Sequence, residues 1–366
     1  MTGRGPAKRF AIIGAGVIGR THAACISQLA PGATLALVVD ELPGRARDLA
    51  AAYGAEAAAS AAAAFSRDDI DAVAICTPSG RHAELTVAAL DAGKHVIVEK
   101  PVDVTLRAAH RVLDAEARAA TMVTVVSQHR FDASSQLVHR AIQEGRLGRL
   151  TSGVASVAWW RGQDYYDSGG WRGSWALDGG GALMNQGIHT VDLLVWMLGE
   201  PVEVTARTAC LAHQRIEAED IAVAVIRFAS GALGVLHATT AAYPGLTARI
   251  QVHGDRGSAV IDGDRLTYFH AATGDGGSPG NGADAGLNQA ADLLPHQAPT
   301  PTAGSDPGAL SHAHLHQYRD FVEAIEQGRR PAVTVDDAIR ALAVVAAVYE
   351  SARTGEAVPV EASPRL

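Results

Sequence analysis

Three features of this 366-residue chain have types and spacing suited to chemistry. Gly14-Ala15-Gly16-Val17-Ile18-Gly19 follows an apolar run and leads into a helix-forming one. In that order the first glycine permits a tight turn, the second lets backbone approach a pyrophosphate, and the third lets helix pack on strand. The helix start at Val17 and Ile18 offers free N–H groups and the positive end of the peptide dipoles to phosphate oxygens. Asp40 ends the next apolar run, where a carboxylate bonds an adenosine ribose. Glu41 follows with no basic residue immediately after it, and two carboxylates repel a 2′-phosphate. Arg45, four residues on, works against this. The reading is an NAD site, with NADP disfavoured.

Lys100 is the third feature. Lysine occurs only at Lys8, Lys94 and Lys100. Lys100 stands just after the run Val96–Val98, at the carboxyl edge where open α/β sheets bind ligands. Its ammonium would hydrogen-bond a reacting oxygen and stabilise developing alkoxide charge. Desolvated, it would lose its proton more easily and serve as a base instead. The sequence leaves both roles open.

The elements that must position these residues fall into two patterns. Arg9–Ile13, Thr34–Val39, Ala72–Cys76, Val96–Val98 and Met122–Val126 are apolar throughout, as strands covered on both faces are. Alanine-rich helical stretches at Arg45–Tyr53, Arg81–Ala92 and Leu106–Ala119 separate them, so a doubly wound parallel sheet is predicted. After about Arg130 the strands Thr151–Trp160, Val202–Leu211, Ile221–Phe228, Leu233–Thr240, Ala248–His253 and Ala259–Ile261 follow closely with short turns, which implies an antiparallel sheet. A helix at Gly187–Leu198 interrupts them. Residues 273–311 are rich in Gly, Ala and Pro and read as a long loop or lid. Two helices close the chain, at about Ala309–Gln327 and Val335–Ser351. The expected division is a dinucleotide-binding domain over 1–127 and a substrate and oligomerisation domain over 128–366.

Composition excludes several classes. A formal charge of −8 and pI near 6.0 lack the basic face of a nucleic-acid binder. No apolar run reaches the ~18–20 residues of a membrane span. The basic start is followed by too short an apolar run for a signal peptide. Cys25, Cys76 and Cys210 are odd in number and widely spaced, which fits a reducing, cytoplasmic setting.

Further motifs give the chain its resemblance. Cys76-Thr77-Pro78-Ser79-Gly80-Arg81-His82 follows the third strand and Glu99-Lys100-Pro101 the fourth. Gly179-Gly180-Gly181-Ala182-Leu183-Met184-Asn185-Gln186-Gly187-Ile188-His189-Thr190-Val191-Asp192 lies further on. Together with the glycine loop, these resemble the Gfo/Idh/MocA oxidoreductases over essentially the whole chain. The resemblance extends to His316–Phe321 and to Tyr349–Gly355 near the end. It implies a Rossmann domain, then a domain with a large open antiparallel sheet, and nicotinamide over the cleft between them. It implies that Thr77, Pro78, His82, Glu99 and Gln128 line the cofactor, and that Lys100 and His189 face the substrate. It also implies a cis peptide before Pro101. Many members carry Asp four residues before this histidine, where this chain has Asn185. Asparagine orients a hydroxyl but relays no proton.

Oxidising a secondary alcohol needs hydride transfer to nicotinamide and removal of the hydroxyl proton. His189, with an ordinary imidazole pKa near 6.5, suits the proton step. Asp192 shares its helix face and would hold the tautomer. The segment Tyr165–Trp175 is dense in aromatics for a chain with 5% of them, and Tyr165, Trp171 and Arg172 suit a sugar ring or the cofactor edge. Arg130, beside Gln128 and His129, is placed to reach the same cleft. His312, His314 and His316 read as a solvated helix start rather than a metal site, because their spacing splits them across the helix. No metal is expected. The leading expectation is an NAD-dependent dehydrogenase of a sugar, cyclitol or sugar derivative, working as a dimer or tetramer. An NAD-requiring glycosidase and a non-catalytic NAD-binding regulator are the alternatives.

Overall fold

A computed structural model describes residues 7–272, 287–297 and 311–361. The chain forms two compact units. One takes Met1–Phe131, Gly169–Gly180 and Ser305–Leu342; the other takes Asp132–Ser168, Gly181–Gly304 and Ala343–Leu366. The segment holding Trp171 and Arg172 thus groups with the N-terminal strands, as does the chain around residue 320.

The first unit is built on β1 (Lys8–Ile13), β2 (Ala33–Val39), β3 (Glu56–Ala58), β4 (Ala72–Ile75), β5 (His95–Val98) and β6 (Val123–Val125). They pair in parallel in the order β3-β2-β1-β4-β5-β6, the doubly wound order expected of a dinucleotide fold. All four residues of β4 and all three of β6 are buried, as two-sided cover requires. The intervening helices are α1 (Val17–Gln28), α2 (Pro43–Tyr53), α3 (Ala62–Phe65), α4 (His82–Asp91) and α5 (Leu106–Arg118). Thr105 caps α5, its hydroxyl accepting the Ala108 N–H at 3.2 Å.

In the second unit α6 (Ala133–Gln143) precedes β7 (Leu150–Ala158), and the short helix α7 (Gln163–Asp167) follows. A π-helical turn, Ala182–Gly187, runs into α8 (Ile188–Leu198), so the expected helix begins a turn earlier in another geometry. Then come β8 (Pro201–Ala209), β9 (Ile221–Phe228), β10 (Leu233–Thr239), β11 (Arg249–Gly254), β12 (Gly257–Asp262) and β13 (Arg265–Ala271). The eight-stranded sheet is completed by β14 (Val358–Pro359), in the order β13-β12-β11-β7-β10-β9-β8-β14, antiparallel except where β10 meets β7. Along β9 burial alternates strictly, which is the mark of a sheet covered on one face. Outward, Val225 lies directly opposite Val235, and these are 50% and 46% exposed.

The expected loop over 273–311 lies partly outside the described residues. Its described part holds a one-turn helix, α9 (Ala290–Leu293), and fastens to an edge strand. Asn288 Oδ1 accepts the Phe269 N–H at 3.1 Å, Gln289 Oε1 the Ala271 N–H at 3.1 Å, and Gln297 Oε1 the Leu266 N–H at 2.7 Å. Side-chain amides thereby occupy the donors that an edge strand leaves open. Two helices follow, α10 (Ser311–Gln327) and α11 (Val335–Thr354). Leu315, Tyr318, Phe321 and Val322 of α10 recur at three- and four-residue spacing and join the core of the first unit with Phe10, Ile12 and Ile26. Burying a side chain as large as Tyr318 or Phe321 is worth about 1.5–3 kcal/mol.

Candidate active site

The loop after β1 has the form a dinucleotide needs. Gly14 has φ +102°, and a Cβ there would lie 2.5 Å from the Cys76 carbonyl oxygen. A Cβ at Gly19 would lie 2.1 Å from the Gly14 oxygen, so the loop and α1 close only with hydrogen in both places. At Gly16 a Cβ would meet nothing within 4 Å, which leaves open space at the helix start. Val17 beside it is 62% exposed. Asp40 fixes the loop, Oδ2 accepting the Ala15 N–H and Oδ1 the Leu42 N–H, both at 2.8 Å. Its remaining lone pairs stay available to ribose hydroxyls. Glu41 is exposed and paired with Arg81 at 2.9 Å, a basic neighbour the local sequence did not reveal.

Around the same sheet edge lie the other expected cofactor residues. Thr77 and Pro78 follow β4 half-buried, and His82 is buried with Nδ1 2.7 Å from the Pro101 oxygen and Nε2 2.9 Å from the Thr77 oxygen. This ring ties the loop after β4 to the Lys-Pro turn. Thr77 Oγ1 and Gln128 Oε1 are buried and find no hydrogen-bond partner among the described residues. Two orphaned polar atoms, an open helix start and a fixed carboxylate fit a nicotinamide dinucleotide, whose ribose and amide groups would supply the missing partners.

Lys100 follows β5 half-buried, with a cis peptide before Pro101. Burial pulls its ammonium pKa below the ordinary value, while the carboxylates of Glu99 and Asp178 pull upward. Lys94, by contrast, is structural: its ammonium donates to the Arg67 and Ile70 carbonyls at 2.6 and 3.0 Å.

Glu99 sits in a buried network rather than on an open surface. Its Oε1 lies 2.9 Å from His22 Nε2 and 3.6 Å from His314 Nε2, its Oε2 accepts the Lys100 N–H at 3.1 Å, and His22 Nδ1 meets the Tyr318 hydroxyl at 2.7 Å. Burial alone would raise the Glu99 pKa, but the two imidazoles hold it well below the ordinary value. Burial lowers that of His22. His314 is therefore not part of a solvated helix start, although His312 and His316 are exposed as expected. Its carboxylate partner, Glu99, directly follows β5, out of reach of any helix-face argument.

Arg130 also departs from expectation. It is buried, with its guanidinium 3.3 Å from Asp337, whose pKa is lowered because Arg130 and Thr334 outweigh burial. Nothing in the sequence signalled this internal ion pair. Trp171 and Arg172 are half-buried, the guanidinium 5.4 Å from the indole centroid. Tyr165, in the second unit, takes a 3.0 Å hydrogen bond from Gln186 Nε2 and lies under Arg161.

From Gly181 to Val195 every residue is buried except Asn185 and His189. The two stand four residues apart at the π-to-α junction, and α8 packs its apolar remainder on β7 and β11. Asp192 is buried below them. Glu219, which sequence reasoning passed over, holds the start of this turn, and an acidic pair just before a strand was its only signal.

Comparison with known proteins agrees with the fold. Residues 8–127 match an oxidoreductase family model with an NAD-binding Rossmann fold, and residues 135–260 match the GFO/IDH/MocA C-terminal domain. The chain is 30% identical over 352 residues to inositol 2-dehydrogenase of Rhizobium meliloti (strain 1021), covering 94% of this chain and 96% of the relative. It is 27% identical over 363 residues to myo-inositol 2-dehydrogenase of Thermotoga maritima, covering 96% and 98%. The solved WlbA dehydrogenase from Bordetella pertussis, in complex with NADH and UDP-GlcNAcA, matches with TM-score 0.86 and 31% identity over 98% of this chain and 99% of that one.

Proposed function

This chain belongs to the GFO/IDH/MocA oxidoreductase family, and from that premise we propose that it oxidises a secondary hydroxyl of a cyclitol, sugar or sugar derivative with NAD. The observation that carries the reading is Lys100: a half-buried ammonium of lowered pKa on the sheet edge whose first loop is shaped for a dinucleotide. The inositol named for one relative and the UDP-GlcNAcA bound in the other support the polyol class.

NAD bound at Gly14–Gly19, Asp40, Thr77 and Gln128 would supply the hydride acceptor. The chain's own residues handle the proton. Lys100 donates a hydrogen bond to the reacting oxygen and stabilises charge developing on it. His189 takes the hydroxyl proton, and Asn185 orients the hydroxyl with its amide while carrying no proton itself. The preference for NAD rests on Asp40, because Arg81 offsets the charge of Glu41.

A panel of cyclitols, sugars and nucleotide sugars scored by NADH absorbance tests the reading. Net NADH with any member supports it. Glycoside cleavage without net NADH replaces it with the hydrolase alternative, and NAD binding without turnover on any member replaces it with the regulator.

A further inference from the structure

Glu219 stands just before β9, 5% exposed, with both carboxyl oxygens taken up. Oε2 accepts the Gly181 N–H at 3.0 Å. Oε1 accepts the Leu183 N–H at 2.8 Å and the Tyr349 hydroxyl at 3.1 Å. The Glu219 carbonyl accepts the Ala182 N–H at 3.0 Å. A helical turn opens with N–H groups that have no partner inside it. One residue here satisfies three of them in succession. The approach is so close that a Cβ at Gly181 would lie 1.7 Å from the Glu219 oxygen.

The turn so capped carries Asn185, whose N–H bonds the Gly181 carbonyl at 3.0 Å, and hands on directly to His189. We propose that Glu219 is a positioning residue: its ionised carboxyl caps the turn Ala182–Gly187 and thereby sets the aim of Asn185 and His189. The importance of that aim rests on the roles proposed above for those two side chains. Protonation opposes the cap, because a carboxylic acid turns one acceptor oxygen into a donor facing an N–H. Burial raises the Glu219 carboxyl to about 7, the N–H groups and Tyr349 working in the other direction. The other acids that feel its charge are Tyr349, Tyr166 and Cys210, and Asp220 is its neighbour in sequence. Burial keeps the first three protonated near neutrality, and Asp220, held by backbone N–H groups and His213, stays ionised. The cap is therefore intact above about pH 7 and loosens below it.

The test compares the full chain with Glu219→Gln and Tyr349→Phe. An infrared titration follows the carboxylic acid carbonyl band, and the His189 ring is followed in 15N-histidine spectra, neither needing a substrate. The expected result is a band that titrates near neutrality and is missing in Glu219→Gln, with the His189 signal moving in step in the wild type alone. Tyr349→Phe removes a donor that favours the ion, so it should move that midpoint upward and leave the alkaline His189 signal in place. A merely structural contact would not shift a midpoint. If myo-inositol with NAD is turned over, Glu219→Gln should lower kcat on the order of ten- to a hundredfold, the scale of a small misplacement, with KM for NAD unchanged. No turnover of myo-inositol counts against that substrate alone, while the spectra still decide the cap. A His189 signal indifferent to the Glu219 titration, or an unmoved midpoint in Tyr349→Phe, overturns the proposal.

Discussion

Replacing Lys100 by Met separates the chemistry from the fold, because the two should respond in opposite directions. Methionine keeps the length of the side chain and removes its charge. One preorganised donor to a developing oxyanion is worth ~2.7–4 kcal/mol, so kcat should fall about 10²–10³-fold. Stability follows the opposite logic. The Lys100 pKa is lowered from 10.5 by burial, so the unfolded chain binds this proton more tightly than the folded one. Stability then rises with pH between the folded value and 10.5, and below the folded value the fold carries the full cost of the desolvated charge. Lys100→Met relieves that cost, and its Tm should hold or rise at pH 7. NAD affinity, read by NADH fluorescence titration, should barely change, since Gly14–Gly19 and Asp40 are untouched. Lys100→Arg should restore little activity, because a planar fork replaces a compact ammonium poorly. Near-wild-type turnover in Lys100→Met refutes the assignment. Lost NAD binding would make Lys100 a cofactor anchor, and a Tm that falls in proportion to kcat would reduce it to a structural residue.

Asp40→Ser should raise the ratio of kcat/KM for NADP over NAD roughly tenfold, the effect of removing about 1.4 kcal/mol of like-charge repulsion; equal use of both cofactors by the unaltered chain would sink the ribose argument. The open face of β9 and β10 supports assembly of copies through that sheet, so Val225→Glu with Val235→Glu should shift light scattering from oligomer to monomer, and an unaltered chain that is already monomeric at micromolar concentration contradicts it. Glu219 makes stability fall with rising pH. Its carboxyl is raised from 4.5 to about 7, so its contribution is full below 4.5 and lost as pH climbs through about 7, at most about 3 kcal/mol. Urea titrations at about pH 5 and about pH 8 should show this fall in the wild type and a smaller one in Glu219→Gln; parallel pH dependence in both would contradict it.

What the sequence made legible was what neighbouring residues decide. Gly14, Gly16 and Gly19 act within one loop, and their roles could be read from order alone. The longer strands declared themselves by burial pattern, with ends within a residue or two: β9 matches Ile221–Phe228 throughout. The strand β3 did not, because Glu56-Ala57-Ala58 carries no apolar signal and pairs only through backbone. The strand β13 was lost in the turn-rich stretch after Asp262, and its edge is finished by amides from residues 288–297 that composition alone marked as loop.

The residues whose partners the sequence did not show share a different cause. His314, Arg130 and Glu41 each take their character from a partner far off in the chain: Glu99, Asp337 and Arg81. Helix-face spacing describes only a residue's own element, so it had no means of burying His314, and a place beside Gln128 and His129 gave no sign of Asp337 as partner to Arg130. The same blindness hid Glu219, whose donors come from Gly181, Leu183 and Tyr349. Lys100 and Glu219 now show the same pattern. Each is an ionisable group moved toward neutral pH by burial, one beside the cofactor loop and one behind the turn that holds His189. In each the ionised form costs the fold stability, and it is the form that the proposed chemistry uses. Groups held at such a cost are the ones to mutate first, because activity and stability should move in opposite directions when they are neutralised.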